Sequence, residues 1–318
     1  MVSSLNIQRV YITDGKVFDF TFKQSKDDFI VEEIPLYSFS NSGNFVILKI
    51  RKTHTSTWEL ISHISQTLDI SEHKIGYAGL KDKNATTTQY ISIPLNRSRD
   101  FKLIETKNIK VLDTFKNNRM LKIGDLKENK FQIILKDIKP EELPFIYQRI
   151  SQIQKRGIPN YFGFQRFGKE NNFKKAKDIV YGEIKHSDKK LESFMKIAYQ
   201  SYFFNAWLAK RVQLSQEHNH KVLLPLDGDI YHKQTIITGL MPGRKVSRAI
   251  SKAGEIEQEF DDMFIHEKGT RRDAWIQPTN IQNKYLNDTN SMKLSFTLPK
   301  SSYATVFIEN IANKNYNY

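Results

Sequence analysis

The sequence contains no cysteine, which excludes disulfide bonds and thiolate chemistry and is compatible with a reducing compartment. No run of about 18 apolar residues occurs, so we expect no helix that spans a membrane. Residues 1–14 lack the basic segment followed by an apolar segment that marks a secretory signal. From these absences we expect a cytoplasmic protein with no membrane association.

Acidic residues are few relative to basic ones: 35 Asp and Glu oppose 49 Lys and Arg among 318 residues, which gives a formal charge of +14. Such an excess points to a polyanionic partner, and nucleic acid is the commonest one for a soluble protein. The charge could equally serve solubility or follow from Lys-rich codon usage. The length suits two compact domains, or one large domain that carries an insertion.

Motifs for metals and nucleotides are also missing. The eight histidines are scattered without the paired spacing of a zinc site. Asp227-Gly228-Asp229 lacks the remaining acidic ligands of a calcium loop. Residues 163–169 match the spacing of a P-loop as far as the lysine, but Glu170 stands where the Mg²⁺-binding Ser or Thr belongs. We therefore expect chemistry that uses no metal and no other cofactor.

The first half of the chain is patterned for strands. Residues 10–52 read as β structure, with a buried strand over 45–50. Ser56-Thr57-Trp58-Glu59 matches a capping box and predicts a helix to about Leu68. Further strands are predicted over 86–93, 109–111 and 129–135, and a helix is predicted from Pro140 to a C-cap at Gly157.

The second half has a different pattern. Residues 171–215 read as helices and residues 221–280 as irregular and rich in turns. A strand over 293–298 and a helix over 304–312 are predicted to close the chain. The change in pattern predicts a β-rich α/β body interrupted by a mostly helical insertion of about 120 residues.

The segment from Gly76 to Gln89 is where we expect the chemistry. Gly76 and Gly79 allow tight turns and close backbone approach, and would present Asp82 between two ammonium groups at the rim of a sheet. Neighbouring cations favour the ionised carboxylate, and an ionised carboxylate can act as a nucleophile. On the charge pattern alone, Lys-Asp-Lys is more often a solvated turn.

Residues 78–89, Ala-Gly-Leu-Lys-Asp-Lys-x-Ala-x-Thr-x-Gln, closely resemble the catalytic signature of the TruD family of tRNA pseudouridine synthases. Residues 157–168, Gly-Ile-Pro-Asn-Tyr-Phe-Gly-Phe-Gln-Arg-Phe-Gly, resemble the family's second hallmark, which lies where an insertion meets the catalytic body. Shorter matches occur at 27–33, 126–131 and 298–305. All of them follow the family order, from Phe29 to Thr305.

The resemblance implies an α+β fold. Its catalytic pseudouridine synthase body is built on a mixed or antiparallel sheet with flanking helices and carries an inserted α/β TRUD domain. We assign the body to residues 1–156 and 280–318 and the insertion to residues 157–279. The implied activity is isomerisation of uridine to pseudouridine in tRNA, at position 13 of the D arm, with no cofactor and no obligate protein partner. The alternatives are a non-catalytic RNA-binding or RNA-folding module and a pseudouridine synthase with another RNA target.

The resemblance also implies roles for individual residues. Asp82 is the expected nucleophile, attacking the sugar or the pyrimidine ring, or abstracting a sugar proton to give a glycal. The expected substrate-binding residues are Phe29, Asn129 and Tyr303. Lys81 is expected to orient phosphate or the Asp82 carboxylate, and Lys23 is a weaker candidate for the basic partner of Asp82. Apart from the resemblance, the basic residues that we expect on the RNA backbone are Arg119, Lys122, Arg166, Arg271 and Arg272.

Each assignment has a plainer alternative. Phe29 and Tyr303 could be ordinary core aromatics, and Asn129 could be a turn residue that stabilises its own backbone. Arg271 and Arg272 could form an exposed turn.

The sequence also departs from the family pattern. Glu128 and Ser301 replace glycines, Asn117 and Asn118 stand where many members have His and a basic residue, and Tyr303 replaces a Phe. These changes concern the positioning of substrate more than the reaction.

Overall fold

The structure, a computed structural model, describes residues 8–13, 15–22, 25–97, 101–167 and 173–316, except for the side chain of Lys190. In chain order its strands are β1 (Phe29–Pro35), β2 (Phe45–Lys52), β3 (Gly76–Tyr77), β4 (Thr86–Pro94), β5 (Ile109–Asn117), β6 (Leu126–Leu135), β7 (Ile158–Pro159), β8 (Tyr231–His232), β9 (Ile236–Met241), β10 (Thr270–Asp273), β11 (Trp275–Ile276), β12 (Thr279–Leu286) and β13 (Ser291–Pro299). Its α-helices are α1 (Thr57–Leu68), α2 (Leu143–Arg156), α3 (Phe173–Val180), α4 (Lys189–Glu217), α5 (Ser251–Gln258) and α6 (Ala304–Ala312).

The chain divides into two compact units. The first, which we call the sheet unit, comprises Asp19–Leu143 and Pro278–Ser301. The second, the helical unit, comprises Met1–Phe18, Pro144–Gln277 and Ser302–Tyr318. The assignment of an inserted domain to residues 157–279 stays a prediction.

The sheet unit is built on one eight-stranded sheet. Its strands lie in the order β12-β13-β6-β1-β4-β2-β5, and β3 pairs with β4. β1 and β4 run parallel, whereas the other pairs are antiparallel. The sheet is therefore mixed, and together with its helices it confirms the predicted α+β class.

Helix α1 covers one face of this sheet. Ser56 is its N-cap, and the capping box with Glu59 is present as predicted. Leu60, Ile61 and Ile64 are buried at helical spacing and pack against alternate residues of β2 and β4. The apolar side of the helix therefore packs against the apolar face that the alternating residues of the strands form.

The helical unit has an aromatic core around α4. One cluster of buried residues joins Tyr161, Phe162, Phe204 and Trp207 to the C-terminal helix through Val306. A buried ion pair between Arg9 and Glu309 ties the N-terminal segment to α6. Small sheets, β8-β9-β10 and β7-β11, complete the unit.

The structure differs from the sequence-based prediction at three places. Residues 17–22 form no strand, although Phe18, Phe20 and Phe22 are buried. Residues 221–280 are not irregular, because they contain β8 to β11 and α5. Strand β12 was not predicted, since its mostly exposed, polar sequence carries no apolar alternation. Among the described residues, no helix has the length and apolarity needed to cross a membrane.

Candidate active site

The predicted catalytic segment forms a loop, residues 78–85, that connects β3 to β4 in the sheet unit. We call it the Asp82 loop. Gly76, where β3 begins, must be glycine because a Cβ there would lie 2.3 Å from the carbonyl oxygen of Leu121. A Cβ at Gly79 would make only ordinary contacts, at 3.5 Å or more. Close backbone approach therefore applies to Gly76 and not to Gly79.

Thr57, the first residue of α1, fixes the loop at its centre. Its hydroxyl accepts a hydrogen bond from the backbone N–H of Lys81 at 2.9 Å. The same hydroxyl donates to Oε1 of Gln89 on β4 at 3.1 Å. Thr57 and Gln89 are both buried, so one hydroxyl joins the helix, the loop and the sheet in the interior.

The side chain of Lys81 turns into the sheet unit. Its Nζ lies 2.8 Å from Oε2 of Glu33 on β1, and the two side chains are only 7% and 1% exposed. The other carboxylate oxygen of Glu33 accepts a hydrogen bond from the backbone N–H of Tyr90 at 3.4 Å. Charges removed from water are tolerated only when they are paired. This contact favours an anchoring role for Lys81 over a direct contact with phosphate.

Lys83 also has a carboxylate partner, but at the surface. Its Nζ lies 2.5 Å from Oε1 of Glu59, and both side chains are about half exposed. The hydrogen bonds from Lys83 and from the Ser56 N-cap lower the pKa of Glu59 to about 2. Each ammonium group that flanks Asp82 in the sequence is therefore paired with a glutamate.

A third lysine, Lys52, lies beneath the loop, and the sequence analysis did not identify it. Asp82 itself is exposed. Nζ of the fully buried Lys52 donates to the carbonyl oxygen of Thr55 at 2.6 Å and lies 3.4 Å from that of Asp82. Burial lowers the pKa of Lys52 to about 8, and the negative charge of Asp82 opposes part of that change. The sequence did contain a sign of this burial. Lys52 follows Val46, Leu48 and Ile50 at every second position of β2, and these positions face the interior.

Two of the expected substrate residues lie on strands beside the loop. Phe29 begins β1, where the register pairs its neighbour Ile30 with Thr86, the first residue after the loop. Asn129 on β6 pairs with Glu33, the partner of Lys81. Phe29 and Asn129 thus lie on the same face of the sheet as Glu33.

Their surroundings differ. Phe29 is buried and contacts Phe131 edge to face, with ring centroids 6.1 Å apart. Asn129 is also buried, and its Oδ1 has no hydrogen-bond partner among the described residues. Buried polar atoms are rarely left in this state unless a ligand or water satisfies them.

The basic segment between β5 and β6 is packed against the Asp82 loop. The backbone N–H of Gly124 donates to the carbonyl oxygen of Ala78 at 2.8 Å. Arg119 is 61% exposed, and its guanidinium lies 4.4 Å above the ring of Tyr37. Lys122 is exposed. These two basic side chains are therefore accessible on the same part of the sheet unit as Asp82.

Arg166 and Tyr303 are found together in the helical unit. Nε of Arg166 donates to the hydroxyl of Tyr303 at 3.2 Å. The Tyr303 ring contacts Phe162 edge to face at 6.0 Å. Both side chains are partly exposed, and the Tyr303 ring packs against the aromatic cluster of the helical unit.

Arg271 and Arg272 lie on β10 instead of an exposed turn. Arg271 forms an ion pair with Glu257, its Nη2 lying 2.6 Å from Oε2. Arg272 is buried, donates to Oδ1 of Asn160 at 2.8 Å and stacks 3.9 Å above Phe162. These contacts favour a structural role for both residues. Lys23, the weaker basic candidate, lies outside the described residues.

A cavity of about 820 Å³ lies in the sheet unit, at the end of β4 opposite to Thr86. Its lining includes Phe45 and Pro94, which are paired at the far end of β4. The loop joins β4 at Thr86, eight residues away, or roughly 26 Å along a strand.

Comparison with known proteins identifies the class to which this fold and loop belong. The family model described as tRNA pseudouridine synthase D (TruD) matches residues 5–191. The chain is 36% identical to the tRNA pseudouridine synthase D of Nitratiruptor sp. and 35% identical to that of Wolinella succinogenes, in each case over 97% of this chain and 99% of the relative. The crystal structure of a protein described as tRNA pseudouridine synthase D from Methanosarcina mazei matches with a TM-score of 0.65 and 23% identity, over 96% of both chains.

The chain belongs to the tRNA pseudouridine synthase D family. It is thereby an enzyme of the isomerase class, as predicted from residues 78–89 and 157–168. The matched relatives span almost the whole chain, so the assignment covers both units.

Proposed function

We propose that this protein isomerises a uridine of tRNA to pseudouridine, at position 13 in the D arm, with Asp82 as the nucleophile and without a cofactor. The observation that carries the proposal is the exposed carboxylate of Asp82, on a loop whose backbone is held by buried side chains. Thr57, the Lys81–Glu33 pair and Lys52 all hold the backbone that carries it. Membership of the family supports the reaction class and the tRNA substrate.

The reaction needs only a nucleophile and a defined geometry. The bond between N1 of uracil and C1′ of ribose breaks, the base turns, and a bond forms between C5 and C1′. C5 loses a proton and N1 gains one, so substrate and product are isomers. Asp82 would attack C1′ or the pyrimidine ring, or remove the C2′ proton to give a glycal. Each route requires the ionised carboxylate.

The target nucleotide must leave its stack to reach Asp82. Extrusion of a base costs a few kcal/mol, and stacking on an aromatic side chain returns about 1–3 kcal/mol. Phe29 of the sheet unit is the aromatic residue that we assign to the extruded uracil, and Tyr303 of the helical unit remains an expected substrate-binding residue. Asn129 is assigned to the uracil edge, because its Oδ1, which has no hydrogen-bond partner in the described part of the chain, suits the N3–H donor.

Contacts with the RNA backbone are assigned mainly to exposed basic residues. Arg119 and Lys122 are accessible in the sheet unit, and Arg166 is partly exposed in the helical unit. Arg271 and Arg272 remain weaker candidates because their guanidinium groups make internal contacts. Binding by such contacts should weaken steeply with salt.

The proposal is tested by mapping pseudouridine in tRNA from a strain that lacks the gene, and from strains that carry it with Asp82 or with Asp82→Asn. Loss at position 13, restored only with Asp82, supports the proposal. Loss at another position indicates a synthase with a different RNA target. Tests of binding and of RNA folding then address the non-catalytic alternative, which predicts that no pseudouridine is lost.

A further inference from the structure

Lys52 occupies a position that an apolar residue would fill at lower cost. It continues the buried stripe of β2 after Val46, Leu48 and Ile50, on the face that packs against α1. Its side chain has no exposed surface. Taking an ammonium group out of water is costly unless other groups compensate. The desolvation cost of Lys52 is therefore hard to explain if the side chain only fills space.

The compensating groups belong to the turn that follows β2 and to the centre of the Asp82 loop. Nζ of Lys52 donates to the carbonyl oxygen of Thr55 at 2.6 Å, and lies 3.5 Å and 3.4 Å from the carbonyl oxygens of Lys81 and Asp82. An ammonium has three donors, which matches three carbonyl groups. The two longer contacts are on the loop, so this side chain links the strand to the backbone of the nucleophile.

The charged groups around Lys52 affect its pKa to different extents. Burial lowers its pKa to about 8; the carboxylate of Asp82 acts in the opposite direction, the ammonium of Lys81 adds to the lowering, and Glu59 opposes it. Lys81 is itself paired with Glu33, and Glu59 with Lys83. Asp82 is thus the carboxylate with the largest effect on Lys52.

We propose that Lys52 is a positioning residue: its protonated side chain holds the backbone and the charge of Asp82 in the reactive geometry, and loss of its proton sets the alkaline limit of the reaction. The inference rests on the proposed function of Asp82. Among the described lysines it assigns this role to Lys52, because Lys81 and Lys83 are paired with Glu33 and Glu59.

The first test is single-turnover pseudouridine formation by Lys52→Met at neutral pH. We expect the rate to fall about 100-fold, the effect of a displacement of about 1 Å in a reacting group, with the Kd for tRNA changed less than threefold. Lys49→Met is the matched control, because Lys49 lies on the opposite face of β2 and pairs with Glu32 at 2.8 Å. The control should react within twofold of the wild type. A Lys52→Met enzyme that is folded and equally fast would overturn the proposal.

The second test is the pH profile of the single-turnover rate. The wild-type rate should fall as pH rises through about 8, whereas Lys52→Arg should lose this limb because guanidinium stays protonated. An unchanged limb in an active Lys52→Arg enzyme contradicts the proposal.

A titration of the lysine Cε signals by NMR needs no activity and covers the case of variants that do not fold. In the wild type, Lys52 should titrate near pH 8, and Asp82→Asn should move its midpoint lower. No movement contradicts the coupling between the two residues. If the wild type titrates as expected but forms no pseudouridine, the proposed function fails and the coupling stands.

Discussion

The buried pair of Lys81 and Glu33 gives the sharpest test of how the Asp82 loop is held. The charged atoms lie 2.8 Å apart with almost no exposed surface. At an effective dielectric constant of about 20 their attraction is on the order of 6 kcal/mol, much of which offsets desolvation. Removing one partner leaves the other charge buried and unpaired. We therefore expect Lys81→Met to lower the free energy of unfolding by about 3–5 kcal/mol.

Urea unfolding of the wild type, Lys81→Met, Glu33→Gln and the double variant forms a complete cycle. The double variant should lose less than the sum of the single variants, with a coupling energy of about 2 kcal/mol or more. Lys83→Met is the matched control, since its pair with Glu59 is solvent-exposed and is worth about 0.2–1 kcal/mol. Single variants that lose less than 1 kcal/mol, or that add without coupling, would refute the buried-anchor account.

Three further predictions concern other parts of the molecule. Ser56→Ala removes the capping box of α1 and should cost about 0.5–2 kcal/mol of unfolding free energy, measured by urea denaturation; no loss would contradict the cap's contribution. The pKa of Lys52 is about 8 in the fold against 10.5 for the unfolded group, so the unfolded state binds more protons between these values. Wild-type stability relative to Lys52→Met should therefore rise with pH in that window, by about 3 kcal/mol at most, and a flat difference would contradict the shift. Arg119→Ala should reduce the slope of log K for tRNA binding against log salt concentration by about one, whereas Arg272→Ala should chiefly lower the free energy of unfolding. If the two variants changed the slope equally, the division between exposed and buried arginines would be contradicted.

Local signals predicted most of the sheet unit correctly. The capping box at Ser56, the buried strand in β2 and the strand after the Asp82 loop are encoded by neighbouring residues, and each was found. Strand β12 was missed because its stability comes from pairing with β13, and its own sequence is polar. Its pairing is a tertiary contact that periodicity cannot reveal.

The partners of the predicted catalytic segment were the least predictable feature. Lys81 and Lys83 are adjacent to Asp82 in sequence, yet they pair with Glu33 and Glu59 from other elements. Lys52 is 30 residues away and is brought beneath the loop by the end of β2. Charge patterns describe neighbours along the chain, whereas the sheet register decides which charges meet.

The same limit applies to Arg271 and Arg272. Two adjacent arginines beside a glycine suggested a surface turn that could contact RNA. The structure places them in β10, where Glu257 and Asn160 take up their donors. Burial of an arginine depends on partners that are distant in sequence, so only the fold reveals it.

The most direct measurement of the central claim is single-turnover conversion of one tRNA transcript by purified wild-type protein and by Asp82→Asn, with tRNA affinity measured in parallel. We predict that the wild type converts one uridine, at position 13, and that the variant binds the transcript normally but reacts at least about 10⁴-fold more slowly. An Asp82→Asn protein that forms pseudouridine at a comparable rate would contradict the claim that this carboxylate is the nucleophile.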